Sequence, residues 1–565
     1  MPMKAVVCRH VRRTYPLVNL WNDSLRIALT LRYFMPKRLY IISLLLLSLG
    51  SGCAKKNFFQ ETALVGPVTR EPVAPWDSAT VVAGKHYDRN AWHNLWWGKH
   101  YRKVWAQPVS LAVLDLDRMK GGLEPEKLGG GFQTTSLTLR NDDGQLYALR
   151  SVDKDPAGIV PQRLRKTFVT NLLRDQTSAA HPYAATVVSA LATAAHIPHS
   201  HPRYVFIPKG VRGLGEHTPE FRNKVFLLEE KFEGKESLTR YFGQAKDLVD
   251  SEDFLQKRFS QHGHLPNQQA FAKARLFDVL LGDWDRHEGQ WQWAVYDTGA
   301  VTTYSPVPKD RDQVFFKFSD GIMPWLFSRR WAPLRKMKTF KPQIHSVKGY
   351  LQNAQFIDER CLNEVTAAQW QAAATGLASA LPDSVLEQAV ATFPPQVHAL
   401  TGEEILQKLK TRRNLLEETA QQMYCLYAKD VLVAGTDQKE KFVVERQPDG
   451  TTLVQMFQVP EEEKASPVLA YERLFRRKET NSVTLHGLGS KDEFEVKGKA
   501  DQGIKVNIYG GEGEDEVKDT SHVRGWAKKT RVYDTRQGME VEKSKETKVT
   551  KKRNVTVHAF DREGL

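Results

Sequence analysis

Apolar residues recur along the chain with two different spacings, and each change of spacing marks an element. Between residues 123 and 160 apolar and polar positions alternate, as in a half-buried hairpin. Gly129-Gly130-Gly131 is followed by an alternating run at 135–140, a turn at Asn141-Asp142-Asp143-Gly144, and a second run at 147–150. Over 161–196 the spacing lengthens to three and four, through Leu164, Phe168, Leu172 and Leu173, which predicts helix. Residues 204–207 and 224–229 read as strands. The stretch 267–282 predicts a helix with Phe271, Ala274, Leu276, Phe277 and Leu280 on its apolar side, and 291–296 with 302–306 predicts a second hairpin. Helical spacing returns from 357 to 430, broken at Phe393-Pro394-Pro395. Beyond 430 the pattern is of short strands, at 441–446, 452–458, 481–486, 493–497, 503–509 and 530–534. Two similar turn units sit among them, Gly487-Leu-Gly-Ser-Lys-Asp492 and Gly510-Gly-Glu-Gly-Glu-Asp515, without a long repeat array.

Composition adds limits. The 565 residues suffice for about three domains, and 41% apolar with 26% charged residues excludes a disordered, collagenous or disulfide-scaffold chain. The net charge is +15, but residues 1–52 hold eight Lys/Arg against Asp23 alone, a share of +7. That leaves +8 spread over the remainder, so no nucleic-acid partner is expected. Met35-Pro-Lys-Arg38, the apolar run 39–50 and Ser51-Gly52-Cys53 have the layout of a secretory signal. Cys after Gly52 resembles a bacterial lipoprotein box, which implies a lipid on Cys53 and a place in the cell envelope, lipid-anchored, at the outer membrane. A plain signal peptide and an uncleaved anchor are the alternatives, and Met35 is the better start. Cys361 and Cys425 then remain to form a single disulfide, if any. The expected organisation is a leader (1–52), a tether and Trp/His-rich packed cap (53–120), a core (121–340), a helical segment (341–430) and a β-rich module (431–565).

Three clusters follow in an order that suits phosphoryl transfer. A glycine turn (Gly129, Gly130, Gly131) lies between β-type runs, and cations stand on or just after the next one (Arg150, Lys154). Gly282-Asp283-Trp284-Asp285-Arg286-His287 follows the long helix, and Asp310-Arg311-Asp312 follows the second hairpin. Such chemistry needs backbone N–H groups and a cation on the phosphates, a carboxylate for the attacking hydroxyl, and oxygen ligands for Mg²⁺. Asp285 and Gln290 have the offset found between the catalytic Asp and the metal-binding Asn of a kinase loop.

The order of Leu149-Arg150-Ser-Val-Asp153, Phe226-Leu-Leu-Glu-Glu230, Asp283–Trp291 and Pro308-Lys-Asp310-Arg-Asp312 resembles atypical protein-kinase-like folds. The spore-coat CotH kinases are the nearest, and the secretory-pathway and HipA-type kinases are more distant. The resemblance implies a two-lobed, kinase-like α+β core. It also implies Asp285 as catalytic base, and Gln290, Asp310 and Asp312 as Mg²⁺ ligands. Gly129, Gly130, Gly131, Arg150, Lys154 and Glu229 would be the ATP-binding residues. Gln stands where the family has Asn, and Asp175 is the candidate to orient the N-lobe cation. The stretch from 125 onward is also similar to a segment of large Gram-negative envelope proteins, in which a metallophosphoesterase domain often precedes and an outer-membrane barrel often follows. That similarity implies an envelope protein partner.

Other readings compete. Gly282-Asp283-Trp284-Asp285-Arg286 matches a metallophosphoesterase block, but no Asp-x-His precedes it and no Gly-Asn-His occurs, so a two-metal phosphoesterase ranks below. The Asp285 loop can also be a buried ionic brace in a non-catalytic scaffold. His196, His199 and His201 read as loop residues, and residues 510–515 resemble one turn of a Ca²⁺-binding nonapeptide, too few copies to stack a roll. The reading favoured is an exported kinase-like phosphotransferase that uses Mg²⁺ and ATP.

Overall fold

The computed structural model describes residues 53–66, 78–130, 133–299, 301–329, 331–460, 466–534, 538–552 and 559–564; the predicted leader lies outside these. Strand β1 (Ser78–Val81), helix α1 (Ala91–Trp97) and strand β2 (Val109–Val113) come first, and both strands join the sheet of the first lobe. The next strands are β3 (Glu124–Gly129), β4 (Ser136–Arg140) and β5 (Leu146–Ser151). Helices α2 (Phe168–Gln176) and α3 (Ala184–Ala194) precede β6 (Arg203–Ile207) and β7 (Lys224–Glu230). The sheet order is β1-β2-β6-β7-β5-β4-β3. Its β3–β4–β5 meander turns at Asn141, whose side chain accepts the Gln145 N–H at 2.7 Å. Leu137, Leu139, Leu149, Phe226 and Leu228 give one face its own core. Of the expected aromatic cap, Tyr87, Tyr101 and Trp105 are packed, whereas Trp92 and Trp96 are exposed.

The second lobe centres on α5 (Gln268–Leu281), preceded by β8 (Asp247–Asp250), α4 (Ser251–Ser260) and β9 (His264–Pro266). Asn267 caps α5 by accepting the Ala270 N–H at 3.1 Å, and Gly282 closes it in a left-handed turn at φ +79°. Nearly every α5 side chain from Phe271 on is buried, the mark of a helix surrounded by protein. Strands β10 (Trp291–Asp297) and β11 (Thr302–Pro308) complete a sheet ordered β8-β10-β11-β9. After α6 (Ile322–Phe327), helices α7 (Ala367–Ala380), α8 (Glu403–Asn414) and α9 (Leu416–Tyr427) pack on α5 and share one continuous core with both lobes. Arg412 of α8 is buried and donates to the Leu280 carbonyl at 2.7 Å, so a neighbouring helix supplies a cation to the α5 C-terminus. Cys361 is a buried free thiol, so the disulfide open between it and Cys425 is not formed. No helix among the described residues is long and apolar enough to cross a membrane.

The C-terminal module differs from its expectation. Strands β12 (Asp430–Ala434), β13 (Glu440–Arg446), β14 (Thr451–Gln458), β15 (Val468–Arg476), β16 (Ser482–Leu488), β17 (Glu493–Ala500) and β18 (Lys505–Gly511) lead into β19 (Asp515–Asp519), β20 (His522–Val523), β21 (Thr530–Asp534), β22 (Met539–Glu542) and β23 (Thr547–Lys551). They form two sheets, β12-β16-β18-β21-β23, all parallel, and β15-β14-β13-β17-β19-β22, parallel from β13 onward. The chain passes from one sheet to the other and back, so the turn units stack as coils of a parallel solenoid. Val483, Leu485, Val506, Ile508 and Val532 meet Phe442, Val444, Phe494, Val496 and Val517 in its core. The repeat is hidden in the sequence because the β14–β15 hairpin stretches the first interval: Glu440 and Asp492 are 52 residues apart, whereas Asp492 and Asp515 are 23 apart. The result is α+β: two lobes, a helical layer sharing their core, and a β-rich module.

Candidate active site in the interlobe cleft

A cleft of about 970 Å³ opens between the first sheet and the second lobe. The first lobe contributes Gly130, Arg150, Lys154 and Glu229; the second contributes Asp285, Gln290, Asp310 and Asp312. Gly130, Gln133 and Thr134 of the β3–β4 connection line it. Gly129 ends β3 opposite Ser136, and Gly131 lies outside the described residues. Gly130 has φ +115°, and a Cβ there would stand 2.2 Å from the Thr134 carbonyl oxygen, so only glycine fits.

Two ion pairs bridge the lobes. Arg150 of β5 pairs with Asp310 and lies 3.5 Å from Glu229, whose other oxygen accepts the Ser200 hydroxyl at 2.6 Å. Lys154, in the turn after β5, pairs with Asp312. Burial, then the Arg150 charge, pulls the Lys154 ammonium down to about 8, with Asp285 acting the other way. Asp175 does not orient either cation. It lies on the last turn of α2 facing the residues around α1, where Arg102 donates twice, at 2.9 and 2.6 Å, and Arg89 and His93 stand 3.1 and 3.0 Å away. Burial opposes ionisation of Asp175, but the bonds from His93 and Arg102 outweigh it and hold the carboxyl well below its usual range.

The second-lobe loop divides its polar residues between core and cleft. Asp278 on α5 is wholly buried and receives Arg275 at 3.0 Å, Arg286 at 3.2 Å and Arg311 at 3.1 Å. Burial raises its pKa, yet the three guanidiniums hold it low. Arg286 further donates to the Lys309 carbonyl at 2.7 Å and the Gln290 carbonyl at 3.0 Å, tying the 283–290 loop to the 309–312 segment. Asp283 faces inward, and burial, opposed by Arg286, pushes it up to about 6. Asp285 points into the cleft instead. Its carboxylate accepts the Asn353 amide at 2.5 Å, and the Asn353 oxygen accepts from Lys336 at 3.2 Å. Asn353 lies 68 residues downstream, with no motif to announce it. The Gln290 side-chain oxygen is buried without a hydrogen-bond partner among the described residues. Asp310 has φ +53°, and Asp312 accepts from Gln313 at 3.1 Å.

The remaining candidates lie elsewhere. His262 contacts Glu440 at 2.9 Å and His264 contacts Tyr304 at 2.8 Å, so neither belongs to a phosphoesterase block. His199 bonds to Thr193 at the end of α3 and to the Ile197 carbonyl of its own loop. In the 510–515 turn Asp515 faces the module interior while Glu512 and Glu514 are exposed. Among the described residues no three His, Cys, Asp or Glu side chains are grouped to hold a metal ion. Cys53 is exposed beside the start of α2, where its carbonyl accepts from Asn171 at 3.1 Å.

No family model matches the chain, and no curated protein does. The solved structures similar to parts of it include CtkA and HipA. The proinflammatory kinase CtkA of Helicobacter pylori shares 11% identity, with 50% of this chain and 94% of that chain covered, at a TM-score of 0.27. HipA of the Shewanella oneidensis toxin–antitoxin system, solved with HipB and operator DNA, shares 12%, with 54% and 67% covered, at a TM-score of 0.21. Likeness this slight carries no functional weight beside the cleft's own residues.

Proposed function

We propose that the cleft transfers a phosphoryl group from a nucleoside triphosphate to a hydroxyl acceptor, with Mg²⁺. The observation that carries this reading is the convergence of Gly130, the cations Arg150 and Lys154, and the carboxylates Asp285, Asp310 and Asp312 on one cleft. One feature fits the absent metal: the orphaned Gln290 oxygen offers an uncommitted ligand. Gln290, Asp310 and Asp312 would hold Mg²⁺, which when bound neutralises charge on the phosphates. Arg150 and Lys154 then exchange their carboxylate partners for phosphate oxygens. Asp285, its rotamer fixed by Asn353, orients the acceptor hydroxyl and takes its proton. The lipid on Cys53 and the envelope location belong to the same proposal.

A non-catalytic scaffold is the second reading. It is favoured by the Arg150–Asp310 and Lys154–Asp312 pairs, which satisfy the cleft's charges without any ligand. Thermal unfolding with and without ATP and Mg²⁺ separates the two. A ligand at ~100 times its Kd adds about 2.7 kcal/mol, a shift of a few degrees. Transfer requires a Mg²⁺-dependent rise that is lost in Asp312→Ala and kept in Asp285→Ala; a melting point indifferent to millimolar ATP selects the scaffold.

A further inference from the structure

The positive charge beyond the leader is not spread evenly. From Gly321 to Ile357 the chain has seven Lys or Arg and no Asp or Glu, nearly the whole surplus of residues 53–565. The same stretch carries α6, on which Trp325 is 46% exposed beside exposed Ile322 and Leu326, followed by Trp331 at 76%. Helix α6 packs on α1, where Gly321 meets the Gly98 backbone so closely that a Cβ would stand 2.2 Å from its nitrogen. The Asp320 carboxylate also accepts the His100 N–H at 2.8 Å. Helix α1 adds exposed Trp92, Leu95 and Trp96 to the surface. The Arg329 guanidinium lies 3.8 Å over the Trp325 ring. Trp97, Pro324 and Phe327 of these two helices line the cleft that holds Asp285, so the surface borders its mouth.

An exposed apolar patch of this kind marks a partner, and its chemistry selects one. Tryptophans seat at headgroup depth, Leu95, Ile322 and Leu326 enter the acyl boundary, and exposed Arg329 and Arg335, in a stretch of sequence without acids, are attracted to anionic lipid. A nucleic acid would use the charges and rings but not the aliphatic side chains. We propose that the α1–α6 surface seats on an anionic bilayer, so that, granted the phosphotransfer reading, the acceptor hydroxyl belongs to an amphiphile of that bilayer. In that step the terminal phosphoryl group breaks its bond to the bridging oxygen and bonds to the headgroup oxygen. The nucleoside diphosphate leaves, and the hydroxyl proton passes to Asp285.

The test is vesicle sedimentation of the chain from residue 53, which holds every described element, with Cys53→Ser so that no attached lipid contributes. Vesicles of phosphatidylcholine with phosphatidylglycerol are expected to bind it, and phosphatidylcholine alone to bind far less. Arg329→Gln/Arg335→Gln should weaken binding on the order of thirtyfold, and Trp92→Ala/Trp325→Ala/Trp331→Ala should abolish it. Both variants should melt as the parent does, since these side chains are exposed. No binding to the anionic vesicles, equal binding to both, or displacement from them by a single-stranded oligonucleotide overturns the docking proposal. The phosphotransfer reading fails separately: a parent protein that binds vesicles but shows no Mg²⁺-ATP shift loses the acceptor assignment and keeps the docking surface.

Discussion

Lys154 is the residue on which the cleft's ionic state turns. Burial first, and Arg150 second, bring its pKa to about 8, so it is charged at neutral pH and loses its proton just above. Nucleotide affinity should therefore fall as pH rises through about 8. Lys154→Arg should keep the affinity level across that range, and titration of the ATP-induced melting shift between pH 7 and 9 measures both. Gly130 offers a sharper local test. Alanine there meets the Thr134 carbonyl in a backbone region unfavourable to side chains, at a cost of about 1–3 kcal/mol. The expected outcome is a lower melting point that Mg²⁺-ATP no longer raises. Gly130, Arg150, Lys154, Asp285, Gln290, Asp310 and Asp312 are visible in the sequence as clusters of suitable residue types, and all of them line one cleft. Asn353 and Lys336 are not, because their approach to Asp285 depends on how the chain after α6 folds back.

Among the elements, α5 and the β10–β11 hairpin were legible almost to the residue. The predicted helix 267–282 is observed as Gln268–Leu281, with an Asn cap before it and Gly282 after it. The sequence pattern leaves out β1, β2, β8, β9, β12, β15, β19, β20, β22 and β23: most are five residues or fewer, and β15 exposes both its ends. What the helix pattern concealed is that α5 carries a charge at its centre. Asp278 holds Arg275, Arg286 and Arg311 together, and so fixes the loop that bears Asp285 to the one that bears Asp312. Asp278→Asn removes the carboxylate charge shared by the three guanidiniums, and breaking a buried pair costs about 3–5 kcal/mol. The urea midpoint should fall accordingly, and nucleotide binding should be lost even where the fold survives.

At the scale of the molecule, the solenoid stacks carboxylates along one edge. Glu440, Asp492 and Asp515 each stand five residues after a glycine, and their coils are in register. The Glu440 N–H donates to Asp492 at 2.7 Å, and the Asp492 N–H to Asp515 at 3.0 Å. Burial, with Glu440 beside it, pushes Asp492 up to about 9; burial, with Asp534 adding to it, pushes Asp515 up to about 6. Both folded values exceed the unfolded carboxylate's, near 4, so the folded state holds the extra protons. Stability is then full below about pH 4 on this account and declines as pH rises toward 6 and then 9. Urea unfolding across pH 5–9 should show that decline, and Asp492→Asn should flatten it and raise the midpoint at pH 8. His262 of the second lobe contacts Glu440 at 2.9 Å, so this edge is also where the module meets the body.

Local patterning accounts for much of this protein. Residue period and turn chemistry set the helices and hairpins, because both act over a few residues. The sequence order of glycine turn, cation, Asp loop and Asp-x-Asp singles out residues that the fold brings to one cleft. The long-range pairings lay beyond it. Which carboxylate of the 278–285 stretch is buried and which faces the cleft depends on three arginines brought from separate elements. Whether Asp175 meets Arg150 or Arg102 depends on how α2 packs. The solenoid and the basic tryptophan surface arise the same way, from residues that become neighbours only when sheets stack and α1 meets α6.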